Sequence, residues 1–222
     1  MAKEVARGFI EKTVEANGTE HRYVVYVPRS YDPKTPIPAI VFLHGSGECG
    51  TDGLLPLRCG PAGWIMLNRD EWPFIMIFPQ KPEMETLWEE WDAMVTAEIE
   101  QTVKEYRIDE SRLYLTGLSQ GGHGTWAIAA LHPDRFAAIA PICGWVDDET
   151  AKQVAHLPIR AFHGVDDDVV PVESTEKAVK LLEPSGKCTL TIYPGVGHNS
   201  WDKAYHEEKL GDWFLRHRKS GK

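Results

Sequence analysis

Apolar and polar side chains alternate at the start of the chain. Residues 9–15 and 21–27 follow a period of two, and Asn17-Gly18 between them accepts the positive φ angles of a tight turn, so a β-hairpin is expected. The pattern then changes to short unbroken apolar runs at residues 39–43 and 74–78, the signature of strands buried on both faces. Helical spacing follows over residues 92–106, with Asp92 as the expected cap, and a further strand at 113–116 leads into an apolar helix at 122–131. Strands at 136–142, 159–162 and 189–193 alternate with helices at 147–156, 172–182 and 205–217.

That alternation predicts an α/β architecture: a mainly parallel central sheet with an N-terminal antiparallel hairpin, helices on both faces and no large lid domain. Residues 1–222 are expected to form a single domain. The stretch 48–71 is the least regular part and reads as a functional loop with a short helix.

Composition narrows the function classes. Thirty-three acids against 24 bases leave a net charge of -9, which repels phosphate backbones and anionic lipid, so nucleic acid is not expected as a partner. The longest apolar runs, 73–79 and 136–143, fall well short of the ~20 residues of a membrane helix. Met-Ala-Lys-Glu-Val-Ala-Arg at the N-terminus lacks the apolar core of a secretory signal, and a cytoplasmic location is expected. Cys49, Cys59, Cys143 and Cys188 have no Cys-x-x-Cys spacing and read as free thiols; the spacing of Cys49 and Cys59 in one loop is what an exported protein could bridge.

The chemistry starts at Gly117-Leu118-Ser119-Gln120-Gly121, which follows a predicted strand and precedes a predicted helix. In that context a Gly-x-Ser-x-Gly run forms a sharp elbow with the serine hydroxyl exposed beneath a helix N-terminus. A serine needs a base to take its proton, and the base needs an acid to hold its tautomer. Both occur downstream, in His163-Gly164-Val165-Asp166-Asp167-Asp168 and in Gly195-Val196-Gly197-His198-Asn199-Ser200-Trp201. His44-Gly45-Ser46-Gly47 supplies small residues after another strand, where the amide of Ser46 with that of Gln120 would form an oxyanion hole. All four segments fall at the carboxyl ends of predicted parallel strands, where open α/β sheets build their sites.

With Phe42-Leu43-His44-Gly45-Ser46-Gly47-Glu48, the run from Gly117 to Trp126, His-Gly-x-x-Asp-x-x-Val-Pro and Gly-His-Asn-Ser-Trp, the sequence resembles the phospholipase/carboxylesterase and dienelactone-hydrolase-like branch of the α/β-hydrolases. Within that branch the stretch from Gly117 to Gly144 is most similar to predicted-peptidase and feruloyl-esterase-like members. The resemblance spans residues 24–214 and implies an α/β-hydrolase fold with a triad of Ser119, Asp167 and His198. Dienelactone hydrolases proper carry a cysteine where this chain has Ser119. The implied activity is hydrolysis of short-chain or aryl carboxylic esters, cinnamoyl or feruloyl esters among them, through an acyl-enzyme. Neither cofactor nor metal is expected, and the partner is a small-molecule ester. Acyl-thioester hydrolysis, peptide hydrolysis and non-catalytic binding on the same fold are the competing readings.

The remaining histidines have ordinary explanations. His44 and His163 are expected to bond loop backbone, His123 to pack beside the site, and His206 and His217 to lie on the surface. Of eight tryptophans, Trp88, Trp91 and Trp145 fall on the reactive edge as candidate pocket walls, and Trp201 is expected to lock the histidine loop.

Overall fold

The computed structural model describes residues 5–68 and 71–219. Strand β1 (Gly8–Ala16) turns at Asn17-Gly18, with φ of +52° and +76°, into β2 (Thr19–Val27), and the two pair antiparallel from Gly8 opposite Val27 to Ala16 opposite Thr19. β3 (Ile37–Leu43) leads through two 3-10 turns and the short helix α1 (Pro61–Leu67) to β4 (Ile75–Phe78). Next come α2 (Asp92–Glu105), β5 (Ile108–Leu118), α3 (Gln120–Leu131), β6 (Ala138–Ile142), α4 (Asp148–Gln153) and β7 (Ile159–Gly164). α5 (Val172–Leu182), β8 (Cys188–Tyr193), α6 (Trp201–His206) and α7 (Leu210–Leu215) close the chain.

The strands form one eight-stranded sheet in the order β1-β2-β4-β3-β5-β6-β7-β8. β1–β2 and β2–β4 are antiparallel and every other pairing is parallel, as the hairpin followed by strand-helix alternation requires.

Period two divides each central strand between two cores. Ala39, Val41 and Leu43 with Ile75 and Ile77 face one core, closed by Met94, Val95 and Ile99 of α2 and by Trp126 and Ile128 of α3. Ile40, Phe42, Met76 and Phe78 face the other, closed by Ala62 and Ile65 of α1, Tyr205 of α6 and Phe214 of α7. No helix among the described residues is long and apolar enough to cross a membrane.

The structure departs from the predicted elements where polar side chains obscure the pattern. β5 starts at Ile108 because Asp109 satisfies the polar stretch itself, accepting from Ser111 N (3.1 Å) and Arg112 Nε (2.7 Å). Asp92 is not the cap of α2. Trp91 holds that position, and the Asp92 carboxylate lies 2.6 Å from His132 Nε2. Asp147 caps α4 instead, accepting from the amides of Glu149 and Thr150 at 2.9 Å each. The expected closing helix at 205–217 is broken into α6 and α7 at Lys209, which has φ of +48°. Tyr205 and Leu210 both face the same core, yet in one continuous helix residues five apart would point about 140° away from each other. The break restores the phase.

Glu98 on α2 stands outside the general satisfaction of buried polar groups. Both its carboxyl oxygens are buried without a hydrogen-bond partner among the described residues, and burial holds the carboxyl well above its usual range. A raised native pKa gives stability that is fully present below the unfolded value of about 4.3 and is lost as pH rises toward the native one. Glu98→Leu should therefore stabilise the fold at pH 8 by on the order of 1–3 kcal/mol and by less at pH 4, as urea unfolding at the two pH values will read. Gly121→Ala has the opposite sign. A Cβ there would lie 2.0 Å from Leu43 O, so the unfolding free energy read from urea titration should fall by the upper end of the roughly 1–3 kcal/mol typical of overpacking.

Candidate active site

Ser119 occupies the junction of β5 and α3 with φ of +54° and ψ of -119°, a region non-glycine residues rarely hold. Neighbouring backbone imposes this conformation. A Cβ on Gly117 would meet Gly121 O at 2.2 Å, and one on Gly122 would meet Ile142 O at 2.3 Å, so the elbow is wedged between the ends of β3 and β6. The Ser119 amide donates to Ile142 O at 3.0 Å.

His198 lies on the loop after β8. Its Nε2 is 2.8 Å from Ser119 Oγ, and its Nδ1 is 2.8 Å from Asp167 Oδ2. Three residues from three separate loops therefore form one hydrogen-bonded chain. Asp166 and Asp168 are exposed, whereas Asp167 is buried and its Oδ1 accepts from the amides of Val169 and Val170 at 2.9 Å each. Burial pushes the Asp167 carboxyl up, but the bonds from His198 and from the Val170 and Val169 amides outweigh it and hold the group below the usual carboxylate range. An ionised Asp167 accepts only, so His198 Nδ1 carries the proton and Nε2 is left to accept from the serine hydroxyl. Trp201 packs perpendicular to His198 with centroids 5.4 Å apart at 89°, restricting the imidazole plane.

The amides of Ser46 and Gln120 lack an intrahelical acceptor for a geometric reason. Gln120 is the first residue of α3 and Ser46 the first of the 3-10 turn Ser46–Glu48, and first-turn amides have no intrahelical acceptor. A Cβ on Gly45 would come within 3.5 Å of Ser119 Cβ, so this loop lies directly against the serine.

Several supporting residues escaped the sequence reading. Lys81, after β4, is fully buried; its Nζ donates to Glu83 O and, at 2.8 Å, to Thr86 O. Its amide donates to His44 Nε2 at 3.2 Å, which leaves His44 Nδ1 to donate to Gly45 O at 2.6 Å. Burial, aided by the Lys81 charge and opposed by the Gly45 bond, brings the His44 pKa down to about 4, so a neutral imidazole braces the Gly45-Ser46 turn. Gln80 ties down the irregular loop by accepting from Gly53 N at 2.5 Å and donating to Glu48 O at 3.0 Å. Gln120 Nε2 donates to Met84 O (3.0 Å) and Thr86 O (3.2 Å), pinning the 82–87 segment over the start of α3. The position of Gln80-Lys81 directly after a buried strand was the available signal.

The tryptophans separate. Trp88 is fully buried, its Nε1 donating to His44 O at 3.2 Å, so it supports the loop from below and does not wall a pocket. Trp91 is half-buried and donates to Thr86 Oγ1 at 2.8 Å. Trp145 alone of the three stacks beside the elbow, on His123 at 4.7 Å and 9°. His123 Nε2 lies 3.2 Å from Glu89 Oε1, a bond that holds the Glu89 carboxyl low against the opposing effect of burial. His206 is exposed, and His217 is partly exposed with one face packed on Trp213.

One group of three metal-type donors meets among the described residues: Cys143, Asp167 and His198, their donor atoms within 4.8 Å of one another. Burial pushes the Cys143 thiol up to about 12, which keeps it protonated at neutral pH, and the other two are engaged with each other. All four cysteines are unpaired.

Known proteins carry the same framework. A solved thermostable esterase superposes with a TM-score of 0.86 at 33% identity, over 95% of this chain and 63% of its own. A carboxylesterase of Arabidopsis thaliana is 31% identical over 129 residues, 55% of this chain and 55% of that protein. Feruloyl esterase B of Neurospora crassa is 32% identical over 141 residues, covering 58% of this chain and 46% of that protein. The chain spans between about a quarter and somewhat under two thirds of the length of the curated relatives it matches, from 26% to 63%. The model of the phospholipase/carboxylesterase family matches residues 65–207, which include the elbow serine, the buried aspartate and the histidine, and the chain belongs to that family.

Proposed function

We propose that this protein is a serine carboxylesterase acting on small-molecule esters with short-chain or aryl acyl groups, cinnamoyl and feruloyl esters among them. The observation that carries the reading is the continuous chain from Ser119 Oγ through His198 to Asp167, with 2.8 Å at each link. Ser119 attacks the ester carbonyl while His198 takes its proton; the Ser46 and Gln120 amides hold the oxyanion. The tetrahedral species collapses to an acyl-enzyme as His198 protonates the departing alcohol. Water, deprotonated by the same imidazole, then releases the acid. Every proton transfer is accounted for by His198, and charge by Asp167 and the amides, so the cycle uses neither metal nor cofactor.

An open site suits compact esters. Between β6 and β7 the chain holds only the six-residue α4, and Ser119 and His198 are both partly exposed. Trp145, on its His123 support, is the side chain best placed to meet an aryl group. We place the whole chain in one domain, supported by the single sheet and its two cores, and in the cytoplasm, supported by the four unpaired thiols. Thioester and peptide hydrolysis would use the same groups, and a leaving-group series separates them.

Ser119→Ala should lower kcat for p-nitrophenyl acetate by on the order of 10⁶ and abolish covalent labelling by a fluorophosphonate; a variant keeping a tenth of the activity overturns the assignment. The kcat/KM profile should fall on the acid side, because a protonated imidazole cannot accept from serine. Asp167 stays ionised above pH 5, its carboxyl being held below the usual range, so a second acid limb should not appear there. Rate measurements from pH 5 to 9 check both statements.

A further inference from the structure

A second imidazole lies beside the carboxylate oxygen used by His198. His163, on β7, is wholly buried, and its Nε2 lies 3.1 Å from Asp167 Oδ2 and 2.9 Å from Val170 O. Neither oxygen can donate, so Nε2 must carry a proton; it donates that proton to Val170 O and stands beside Oδ2 without a directed bond to it. On the opposite side of the ring, Nδ1 is 2.8 Å from Thr175 Oγ1 of α5, and that hydroxyl also lies 3.0 Å from Gly144 O. Val170 is consequently held at both backbone polar groups: its amide donates to Asp167 Oδ1 and its carbonyl accepts from His163. The spacing of His163 and Asp167, four residues apart across the turn after β7, closes the loop into a ring around the carboxylate.

We propose that His163 is a positioning residue for the reaction described above: its Nε2–H holds Val170 O, so that the Val170 amide keeps the Asp167 side chain in place with Oδ2 aimed at His198, and the N–H dipole 3.1 Å away lowers the charge felt at that oxygen. The inference rests on the esterase reading. Losing this N–H frees the carboxylate to rotate away from His198, which lowers kcat with little effect on KM. It also leaves Oδ2 a stronger acceptor for the protonated form of His198, which moves the acid limb of kcat/KM to higher pH. The titratable groups facing the carboxylate are His198 from the loop after β8, His163 from β7 and the Cys143 thiol from the end of β6.

Two substitutions separate this from a packing role. A glutamine amide reaches where Nε2 stands, whereas an asparagine amide reaches only the Nδ1 position facing Thr175. His163→Asn should lower kcat on the order of 10- to 100-fold with KM nearly unchanged and shift the acid limb upward, while His163→Gln should restore most of kcat and the wild-type limb. Equal losses in both variants, or lower unfolding midpoints with an unmoved limb, overturn the proposal. A second measurement needs neither variant nor turnover. Nitrogen-15 histidine NMR of the resting wild-type protein should show two slowly exchanging imidazole protons at the carboxylate, His198 Nδ1–H and His163 Nε2–H. Finding His163 without an Nε2 proton overturns the proposal even if the enzyme is active, and finding it in an inactive protein would leave the geometry standing while the esterase reading fails.

Discussion

The close approach of the Gly121 backbone to Leu43 O fixes the geometry of everything around Ser119. A strand must turn into a helix within one residue, and the only space for the turn lies between the carboxyl ends of β3 and β6, where a side chain at 117, 121 or 122 would collide with backbone. The turn forces a positive φ on Ser119, a strain on the order of 1–3 kcal/mol that persists because the surrounding sheet overdetermines it. In return, the hydroxyl stands clear of the sheet and the first amide of α3 is left without an intrahelical acceptor. The exposed hydroxyl and the unpaired amide are thus two consequences of one packing constraint.

Around that wedge, buried charge is hydrogen-bonded. Asp167 has three donors on its two oxygens, with the His163 imidazole 3.1 Å from Oδ2, and Lys81 has two loop carbonyls. A carboxylate so enclosed does not reorient when a proton moves on the imidazole beside it, and preorganisation of this kind costs no rearrangement at the moment of reaction. Glu98 shows the contrast. Unpartnered on the buried face of α2, among Met94, Val95, Ile99 and Thr102, it is tolerated as a neutral acid and contributes nothing to the site.

Much of this was legible along the chain because each signal was local. Asn17-Gly18 marked the hairpin, unbroken apolar runs marked the central strands, and Gly-x-Ser-x-Gly between a strand and a helix marked the elbow. The choice among Asp166, Asp167 and Asp168 was not local. It depends on which carboxylate turns inward to meet two amides and two imidazoles, and only the family resemblance pointed to Asp167. Trp88 misled for a related reason: its place after β4 put it on the reactive edge, but the tight contact with Gly124, where a Cβ would come within 2.6 Å of the ring, drew it into the interior. The division of the last helix also needed the sheet, since the apolar phase of Tyr205 and Leu210 has meaning only against a shared core.

The least protected member of the chain is the histidine, because its loop hangs from β8, the outermost strand on its side of the sheet. Its placement is secured by borrowing from the neighbouring loop. A Cβ on Gly164 would lie 2.3 Å from both Val196 O and Gly197 O, so the backbone of β7 and that of the histidine loop are in direct contact. Val165 N donates to Tyr193 O at 3.1 Å and Asp166 N to Val196 O at 2.9 Å, stitching the aspartate loop to the histidine loop just before each delivers its side chain. Acid and base therefore move together as one unit relative to the elbow. Any fluctuation of the sheet edge changes the distance from His198 to Ser119 before it changes the distance from His198 to Asp167. The bond to the serine, the one that must break and re-form in the proposed reaction, is the compliant link, and the bond that holds the imidazole's tautomer is the stiff one.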